Sequence, residues 1–286
     1  MADNYKEIKS LNWVEISDEE FNLLRRLVYE QIGINLTEQK KTLLMGRLQK
    51  LLRGRNFSTF REYYNFVNTD KSGRALSDLA NSISTNHTFF YREKDHFDFF
   101  FEKTLPQIEH KLKTTQTNDI RVWSAGCSTG EEPYMLVMLM MEYFGRDYSK
   151  LNAGVLATDI SETALERARA GIYTWERVSR LPEKYIKKYF KKLPTGEYRV
   201  IDEVKKEVVY RRFNLMNKQF PFKKQFDSIF CRNVMIYFDP PTREALVDRF
   251  WRHTAPGGFL FIGHSESLKR EATKYKYIMP ALYLKA

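Results

Sequence analysis

Residues 122–134, VWSAGCSTGEEPY, place two adjacent carboxylates directly after a glycine turn. The apolar start, the glycines and the helical run that follows indicate a strand, a tight turn and a helix. A pyrophosphate would bind to open N–H groups at such a helix N-terminus, but the segment lacks the GxGxxG spacing of a dinucleotide site. Glu131 and Glu132 would also repel a phosphate, so we expect a different ligand.

The two glutamates suit a ligand that carries a cationic group. S-adenosylmethionine has an ammonium and a sulfonium and no phosphate, the glycines allow a close approach of the backbone, and a carboxylate can bind the positive charge. The alternative is that both acids complement the helix dipole at its N-terminus. Because this alternative applies more strongly to Glu131, we single out Glu132 as the ligand-binding residue.

Downstream of Asn118, short strand-like runs alternate with helical runs. The strand-like runs are RVWSAG, AGVLATDI, VVYRRFNL, FDSIFCRNV and GGFLFIGHS, and the helical runs are EEPYMLVMLMMEYF and SETALERARAGIY. The apolar strands have the pattern of strands that are buried on both faces. This alternation predicts an α/β fold with a parallel, doubly wound sheet.

In a sheet of this kind, ligands bind beyond the carboxyl ends of the strands. The residues at those ends are 126–132, Asp159, Asn214 with Leu215, and 231–233. Asp159 can accept hydrogen bonds from both hydroxyls of a ribose, as the acidic residue of a dinucleotide fold does. The other role for this aspartate is the N-cap of the helix that SETALERA begins.

Residues 1–81 are predicted to form a separate helical domain. Ser17 begins a capping-box pattern before FNLLRRLVYEQIGI, Gly33 ends that helix, and EQKKTLLMGRLQKLLRGRNF and TFREYYNFV have the periodicity of two more helices. Residues 82–286 form the α/β domain. Its alternation breaks at about residues 174–209, where PTG predicts a hairpin turn and therefore a small antiparallel insertion.

The chain of 286 residues has a formal charge of +11, which favours an anionic partner: nucleic acid, an acidic protein surface or a membrane face.

The N-terminus lacks the apolar region of a signal peptide, and the longest apolar run, residues 135–141, is too short to span a bilayer. Cys127 and Cys231 lack the spacing of a disulfide framework or a zinc site. We expect a monomeric cytoplasmic protein that does not insert into the membrane.

Six motifs occur in order along the chain: STNHTFFYRE, VWSAGCSTGEEPY, LATDISETALERARAGIY, FNLM, FCRNVMIYF and GGFLFIGHSE. Together they resemble the CheR chemotaxis receptor methyltransferases, which esterify glutamate side chains on chemoreceptors. The resemblance covers nearly the whole chain. It implies a Rossmann-like class I S-adenosylmethionine-dependent methyltransferase domain with a small antiparallel insertion, preceded by an all-α domain that docks the receptor. The implied partner is the cytoplasmic helical domain of a chemoreceptor.

The resemblance also implies which residues form the site. The cofactor contacts fall at Asn86, Thr88, Arg92, Glu132, Asp159, Asn214, Leu215, Arg232 and Asn233. Arg92 and Tyr237 would stand next to the reacting groups as the catalytic residues. A glutamate carboxylate, whose unperturbed pKa is about 4.3, is already ionised at neutral pH, so methyl transfer to it requires no general base, and no metal is expected. We assign Arg92 the positioning of the carboxylate and Tyr237 the orientation of one of its oxygens.

A basic stripe follows in the helical domain. Residues 39–56 contain no acidic residue, and Arg47, Lys50 and Arg53 follow helical spacing on the side opposite the leucines. Such a stripe suits an acidic helical target, and a chemoreceptor's methylation region is a helical bundle rich in glutamate. An ordinary solvated face is the alternative. We hypothesise that these three residues bind the substrate.

Three other functions compete with this interpretation. A nucleic-acid methyltransferase shares the fold, but its usual Asp/Asn-Pro-Pro-aromatic element would end the fourth strand, where this chain has CRNV; DPPT at residues 239–242 lies too far on and more readily begins a helix. We therefore expect no nucleic-acid partner. A nicotinamide dehydrogenase is disfavoured by the missing glycine fingerprint. A CheR-like module that binds cofactor or receptor without transferring methyl stays open.

Overall fold

The computed structural model describes residues 13–84 and 88–286. These residues form two compact units, with the division of the chain after residue 85. The first unit is helical, and the second combines helices with a mainly parallel sheet and a small antiparallel sheet. The predicted fold class is therefore confirmed.

The described part of the helical unit contains four α-helices and a short 3₁₀ helix, Glu38–Lys40. The α-helices are α1 (Asp18–Ile32), α2 (Lys41–Gly54), α3 (Phe60–Thr69) and α4 (Arg74–Ile83). The predicted capping box is present, because the hydroxyl of Ser17 accepts a hydrogen bond from the N–H of Glu20 and the Glu20 carboxylate accepts one from the N–H of Ser17. Gly33 ends α1 in the left-handed conformation, at φ 74°.

The sequence pattern does not single out α4. Its N-cap is Gly73, which has no side chain to accept a hydrogen bond. Asp70 stabilises this helix start instead, because its carboxylate accepts hydrogen bonds from the N–H groups of Ser72 and Ala75 at 2.9 and 2.8 Å. The helix therefore begins at an acidic turn that precedes it rather than at a capping residue next to it.

Ten strands form the two sheets within residues 88–286. They are β1 (Asp119–Ala125), β2 (Asn152–Asp159), β3 (Ile172–Tyr173), β4 (Phe190–Lys192), β5 (Tyr198–Val200), β6 (Val208–Arg212), β7 (Phe226–Cys231), β8 (Thr254–Ile262), β9 (Lys276–Met279) and β10 (Leu282–Leu284). The large sheet has the order β6-β2-β1-β7-β8-β10-β9. From β6 to β8 all neighbours are parallel, so the carboxyl ends of these strands meet at one edge.

The helices of this unit cover the sheet and connect its strands. They are α5 (Lys94–Phe99), a π-helical turn (Phe100–Thr104), α6 (Leu105–Thr115), α7 (Glu131–Phe144), α8 (Glu162–Ala170), α9 (Trp175–Val178), α10 (Glu183–Tyr189), α11 (Asp202–Lys205) and α12 (Pro240–His253). Helix α7 is buried throughout residues 133–140, as expected of a helix that is apolar all round. At the start of α12, the Asp239 carboxylate accepts from the N–H of Thr242 at 3.1 Å, so DPPT begins a helix, as predicted.

A C-terminal hairpin extends the large sheet beyond the strands that the sequence predicts. β10 pairs antiparallel with β8, and β9 pairs antiparallel with β10. The two strands of the hairpin, β9 and β10, have four and three residues, and Pro280 lies between them. Runs this short give no clear period-2 signal, which explains why they are not recognised from sequence.

The small sheet has the order β3-β5-β4 and is antiparallel throughout. Its β4–β5 turn is closed by the N–H of Leu193, which donates to the carbonyl of Glu197 at 2.8 Å. The predicted antiparallel insertion is therefore confirmed, and it also includes β3. None of the described helices combines the length and the apolarity that crossing a bilayer requires.

Candidate active site

Main-chain hydrogen bonds fix the turn after β1 to the end of β2. The N–H groups of Gly126 and Cys127 both donate to the carbonyl of Thr158, at 2.8 and 2.9 Å. Gly126 has φ 86°, and a Cβ at this position would lie 2.4 Å from Cγ2 of Val234, in the loop after β7. Glycine alone satisfies both constraints without strain. The turn therefore brings the ends of β1, β2 and β7 together.

Asp159 ends β2 and its carboxylate contacts the turn after β1. Oδ2 accepts a hydrogen bond from the N–H of Ser128 at 2.8 Å, and Oδ1 accepts one from the N–H of Ser161 at 2.9 Å. Burial raises the pKa of this carboxyl. The N-cap of α8 is Ser161, whose hydroxyl accepts from the N–H of Ala164 at 3.1 Å. Asp159 is therefore not the helix cap, and its role in binding a ligand stays a prediction.

The two adjacent glutamates have different partners. Glu131 is fully buried, and its carboxylate accepts from the hydroxyl of Thr129 at 2.7 Å and from the guanidinium of Arg177 on α9. The Tyr173 hydroxyl on β3 donates to the carbonyl of Thr129, also at 2.7 Å. Burial raises the pKa of Glu131. Glu131 thus anchors the turn to the insertion.

Glu132 is the second of these glutamates and lies against the end of the sheet. Its Oε1 accepts from the hydroxyl of Ser124 at 2.7 Å, and its Oε2 accepts from Nη1 of Arg232 at 3.1 Å. Burial raises the pKa of the Glu132 carboxyl. A carboxylate has about four acceptor positions, so these contacts leave room for a cationic ligand group.

Arg232, directly after β7, is surrounded by acceptors. Its Nε and Nη2 donate to Oε2 of Glu93, at 3.2 and 3.1 Å, and Nη2 also donates to the carbonyl of Arg92. The guanidinium lies 5.0 Å from the centre of the Phe97 ring. Through these contacts and its bond to Glu132, Arg232 connects the segment that contains Arg92 to the start of α7.

A buried glutamate from the loop after β8 holds the loop after β7. Oε2 of Glu266 accepts from the N–H groups of Asn233, at 3.0 Å, and Gly263, and Oε1 accepts from the N–H of Ile236 at 3.0 Å. At Gly263 a Cβ would lie 2.3 Å from Nδ2 of Asn233. Asn233 is left-handed, at φ 58°, and its Nδ2 donates to Oε1 of Glu93 at 3.1 Å. The position and orientation of Asn233 are therefore fixed from both sides.

Asn214 and Leu215 follow β6 at the same edge of the sheet. The N–H of Phe213 donates to the carbonyl of Asp159 at 2.9 Å, which places this loop beside the end of β2. The Asn214 side chain accepts from the N–H of Met216 at 2.9 Å. The structure thus brings the loops after β1, β2, β6 and β7 together, as the sequence predicts.

The remaining predicted residues of this unit lie before α5 or after β7. Thr88 and Arg92 precede α5, and Tyr237 lies in the 3₁₀ turn Met235–Tyr237 after β7; all three are half-buried. The carbonyl contact from Arg232 ties the Arg92 segment to the end of β7. Asn86 lies outside the described residues.

Glu93, His96 and His264 form a cluster whose candidate ligand atoms lie within 4.8 Å of one another. Both oxygens of Glu93 already accept hydrogen bonds, from Arg232 and from Asn233 together with the N–H of His264. His96 is fully buried, and burial lowers its pKa to about 4. Because the Arg232 guanidinium already pairs with the Glu93 carboxylate and would repel a cation, the geometry favours a structural role for this cluster over cation binding.

The predicted substrate-binding residues lie on α2 of the helical unit. Lys50 and Arg53 are exposed, and Nε of Arg53 donates to the carbonyl of Gln49 at 3.3 Å. Arg47 is half-buried, and its guanidinium donates to the carbonyl of Ile83 at the end of α4. Arg47 therefore also stabilises the helical unit, which sets it apart from the other two.

Sequence reasoning missed three side chains that hold the site together: Glu93, Arg177 and Glu266. Glu93 and Glu266 do have a local signal, because each is an acidic residue that ends a recognised motif, STNHTFFYRE and GGFLFIGHSE. Arg177 has no such signal, since its partner Glu131 lies 46 residues away.

The parallel sheet, with Asp159 at the end of β2 and Glu132 in the first turn of α7 after β1, is that of a Rossmann-like methyltransferase, and the family match adds S-adenosylmethionine as its cofactor. The family model for the CheR methyltransferase SAM-binding domain matches residues 86–283, and the model for the CheR methyltransferase all-alpha domain matches residues 19–84. The chain therefore belongs to the CheR methyltransferase family, and the resemblance seen in the motifs is confirmed.

Curated relatives are similar over nearly their whole length. A chemotaxis protein methyltransferase of Borreliella burgdorferi is 44% identical over 273 residues, which cover 95% of this chain and 96% of the relative. The chemotaxis protein methyltransferase of Escherichia coli is 35% identical over 256 residues, with coverage of 88% and 85%. Chemotaxis protein methyltransferase 2 of Vibrio cholerae is 33% identical over 261 residues, with coverage of 91% and 89%.

Proposed function

We propose that this protein transfers the methyl group of S-adenosylmethionine to glutamate side chains in the cytoplasmic helical domain of a chemoreceptor, producing glutamate methyl esters. The observation that carries the proposal is a pair of carboxylates: Asp159 at the end of β2, and Glu132 in the first turn of α7, where it accepts from Ser124 of the adjacent parallel strand β1. Arg232 connects Glu132 to the main chain of Arg92. The names of the relatives, which are chemotaxis methyltransferases, support the same role.

The described residues fit S-adenosylmethionine by their chemistry. Glu132 would bind the ammonium group and Asp159 the ribose hydroxyls. The hydroxyl of Ser128 lies in the same turn and is a buried polar atom with no hydrogen-bond partner among the described residues, so it suits a polar contact with the ligand. The further contacts are assigned to Asn86, Thr88, Arg92, Asn214, Leu215, Arg232 and Asn233. For Arg232 the contact would come from the main chain, because its guanidinium is already engaged.

The reaction itself needs little from the protein beyond positioning. S-adenosylmethionine supplies an electrophilic methyl group on sulfur. A substrate carboxylate oxygen forms a bond to the methyl carbon while the carbon–sulfur bond breaks and its electron pair stays on sulfur, so no proton moves. Arg92 would position the carboxylate with a charge-assisted hydrogen bond, and Tyr237 would orient one of its oxygens. Holding the reactants in line can contribute roughly 7–11 kcal/mol.

The helical unit would recognise the substrate through charge. Lys50 and Arg53 are exposed on α2 and present cations to a glutamate-rich helical bundle, and Arg47 would add to this surface from a half-buried position. Complementary charge of this kind mainly accelerates and orients association. Recognition and chemistry would then use separate groups of residues.

The direct test is transfer of radiolabelled methyl from S-adenosylmethionine to a purified cytoplasmic fragment of a chemoreceptor, followed by mild alkali and collection of volatile methanol. Alkali-labile label is expected, because methyl esters hydrolyse under these conditions. Label that resists alkali would identify nitrogen methylation and overturn the proposal. Binding of S-adenosylhomocysteine without any transfer, across chemoreceptor fragments from the same organism, would favour a binding module.

A further inference from the structure

Glu93, Arg232 and Glu132 form a linear chain of charges at the edge of the cofactor site. Glu93 accepts hydrogen bonds from Nε and Nη2 of Arg232, at 3.2 and 3.1 Å, and Glu132 accepts one from Nη1, at 3.1 Å. The guanidinium therefore separates the two carboxylates. With both acids ionised, the chain of three residues carries one net negative charge.

This charge balance matters for binding an ammonium group. If Glu132 and Arg232 formed an isolated pair, their charges would cancel, and a cation close to both would gain little attraction. Glu93 supplies the second negative charge. It also occupies two of the guanidinium nitrogens, so that Arg232 makes only one bond to Glu132.

We propose that Glu93 is a positioning residue that keeps the ammonium subsite negative: by neutralising Arg232, it leaves the charge of Glu132 available to the amino group of the cofactor. The inference rests on the role proposed above for Glu132. It assigns Glu93 an electrostatic effect that acts through Arg232, without contact between Glu93 and the cofactor.

The surroundings favour a strong effect of this kind. The side chains of Glu93, Arg232 and Glu132 are only 12%, 3% and 16% exposed, so solvent screens the charges weakly. Arg232 on one side, and Asn233 with the N–H of His264 on the other, hold the carboxylate of Glu93 in place. Burial alone would raise the pKa of the Glu93 carboxyl, but the positive charge of Arg232 and the hydrogen bonds to this carboxylate lower it overall. Glu93 is therefore ionised at neutral pH.

The alternative is that Glu93 acts only as a brace between loops. The two roles differ in how the effect depends on the ligand. Loss of a brace weakens every ligand of the site alike, whereas loss of the charge weakens only a ligand that carries the ammonium group. The test therefore compares two ligands of nearly identical shape: S-adenosylhomocysteine and its deaminated analogue, which lacks the amino group.

The experiment is calorimetric titration of wild type and Glu93→Gln with both ligands. We expect Glu93→Gln to weaken S-adenosylhomocysteine binding by about tenfold and binding of the deaminated analogue by less than about threefold, because the removed interaction is electrostatic. Glu109→Gln is the matched control. It removes the same charge from a carboxylate that bonds to Lys113 and Tyr143 outside the site, and it should leave both affinities unchanged.

Equal weakening of both ligands, or of neither, would overturn the role of Glu93 while leaving the proposed function intact. If wild type itself binds both ligands equally well, the assignment of Glu132 fails, and this inference fails with it. Should Glu93→Gln fail to fold by circular dichroism, Glu93→Asp is measured instead. That variant keeps the charge, so its preference for the amino group should stay within about threefold of wild type; loss of the preference would overturn the proposal.

Discussion

The carboxylate of Asp159, at the end of β2, accepts a hydrogen bond from the main-chain N–H of Ser128 in the turn after β1, at 2.8 Å. The same carboxylate also accepts from the N–H of Ser161, at 2.9 Å. Asp159 therefore shapes the turn in addition to its proposed binding of the ribose. One substitution should affect both properties.

We expect Asp159→Asn to lower the free energy of unfolding by about 1–3 kcal/mol, because an amide NH₂ would face one of the two N–H donors. The affinity for S-adenosylhomocysteine should fall as well. Urea unfolding and calorimetric titration measure the two effects. Asp202→Asn, at an exposed aspartate on α11, is the control for charge. An Asp159→Asn variant with both wild-type stability and wild-type affinity would contradict the assigned role.

The glycine at position 126 is under two constraints that can be separated. We expect Gly126→Ala to destabilise through its left-handed backbone, which costs about 1–2 kcal/mol in a residue with a Cβ. Contact of the new Cβ with Val234 adds to this cost, since Cβ and Cγ2 of Val234 would be 2.4 Å apart. Equilibrium unfolding in urea gives the total.

Gly196 is the matched control for this substitution, because it has φ 87° and no atom of the described residues lies within 4 Å of the position that a Cβ would take. Gly196→Ala should therefore show only the backbone cost. Combining Gly126→Ala with Val234→Ala should recover part of the difference, because it removes the clashing methyl group. Equal destabilisation at the two glycines would show that the close approach to Val234 has no energetic consequence.

The buried Glu266 should make stability depend on pH. Burial outweighs its main-chain hydrogen-bond donors and raises the pKa of this carboxyl in the folded protein. The folded state then binds a proton more readily than the unfolded state, so the stabilising contribution is present at low pH and is lost as the pH rises through the folded pKa.

We therefore expect the free energy of unfolding of wild type to decrease, relative to that of Glu266→Gln, as the pH increases from about 5 to about 7.5. Urea unfolding of both proteins at the two pH values measures this shift. Glu244→Gln, at an exposed glutamate on α12, controls for the change in net charge. A shift in the opposite direction would mean that the main-chain hydrogen bonds to Glu266 outweigh its burial.

Charge reversal on α2 should impair recognition of the substrate alone. Lys50→Glu and Arg53→Glu should each raise the KM for a chemoreceptor fragment by roughly threefold to tenfold, more at low salt, because complementary charge steers association. Affinity for S-adenosylhomocysteine should not change. Lys71→Glu, an exposed lysine in the same unit, is the control. An equal effect of Lys71→Glu would indicate a non-specific charge effect, and loss of cofactor affinity would contradict the docking role.

Much of the fold can be predicted from the sequence because its main elements have strong local signals. Helix α1 carries a capping box at Ser17 and a terminating glycine at position 33, and α7 is a long apolar run that begins directly after a glycine turn. The segments that follow the strands then give Glu132 and Asp159 as candidate site residues. For these two, local pattern and position in the sheet agree.

The contacts that fix the site are long-range and leave little trace in the sequence. Glu93 bonds to Arg232 across 139 residues, and Arg177 bonds to Glu131 across 46. The pairing depends on how the loops meet in three dimensions, so spacing along the chain cannot reveal it. For the same reason, the sequence favours Glu132 over Glu131 as the ligand-binding residue but cannot reveal that Glu131 anchors the insertion.

The most direct test of the whole account is to identify the atom that receives the methyl group. A chemoreceptor cytoplasmic fragment is incubated with the protein and S-adenosylmethionine that carries a deuterated methyl group, and the modified peptides are sequenced by mass spectrometry under conditions that preserve esters. We expect the label on glutamate side chains of the receptor's helical domain. Label on nitrogen-containing side chains would contradict the account, because it would require a nucleophile other than a carboxylate.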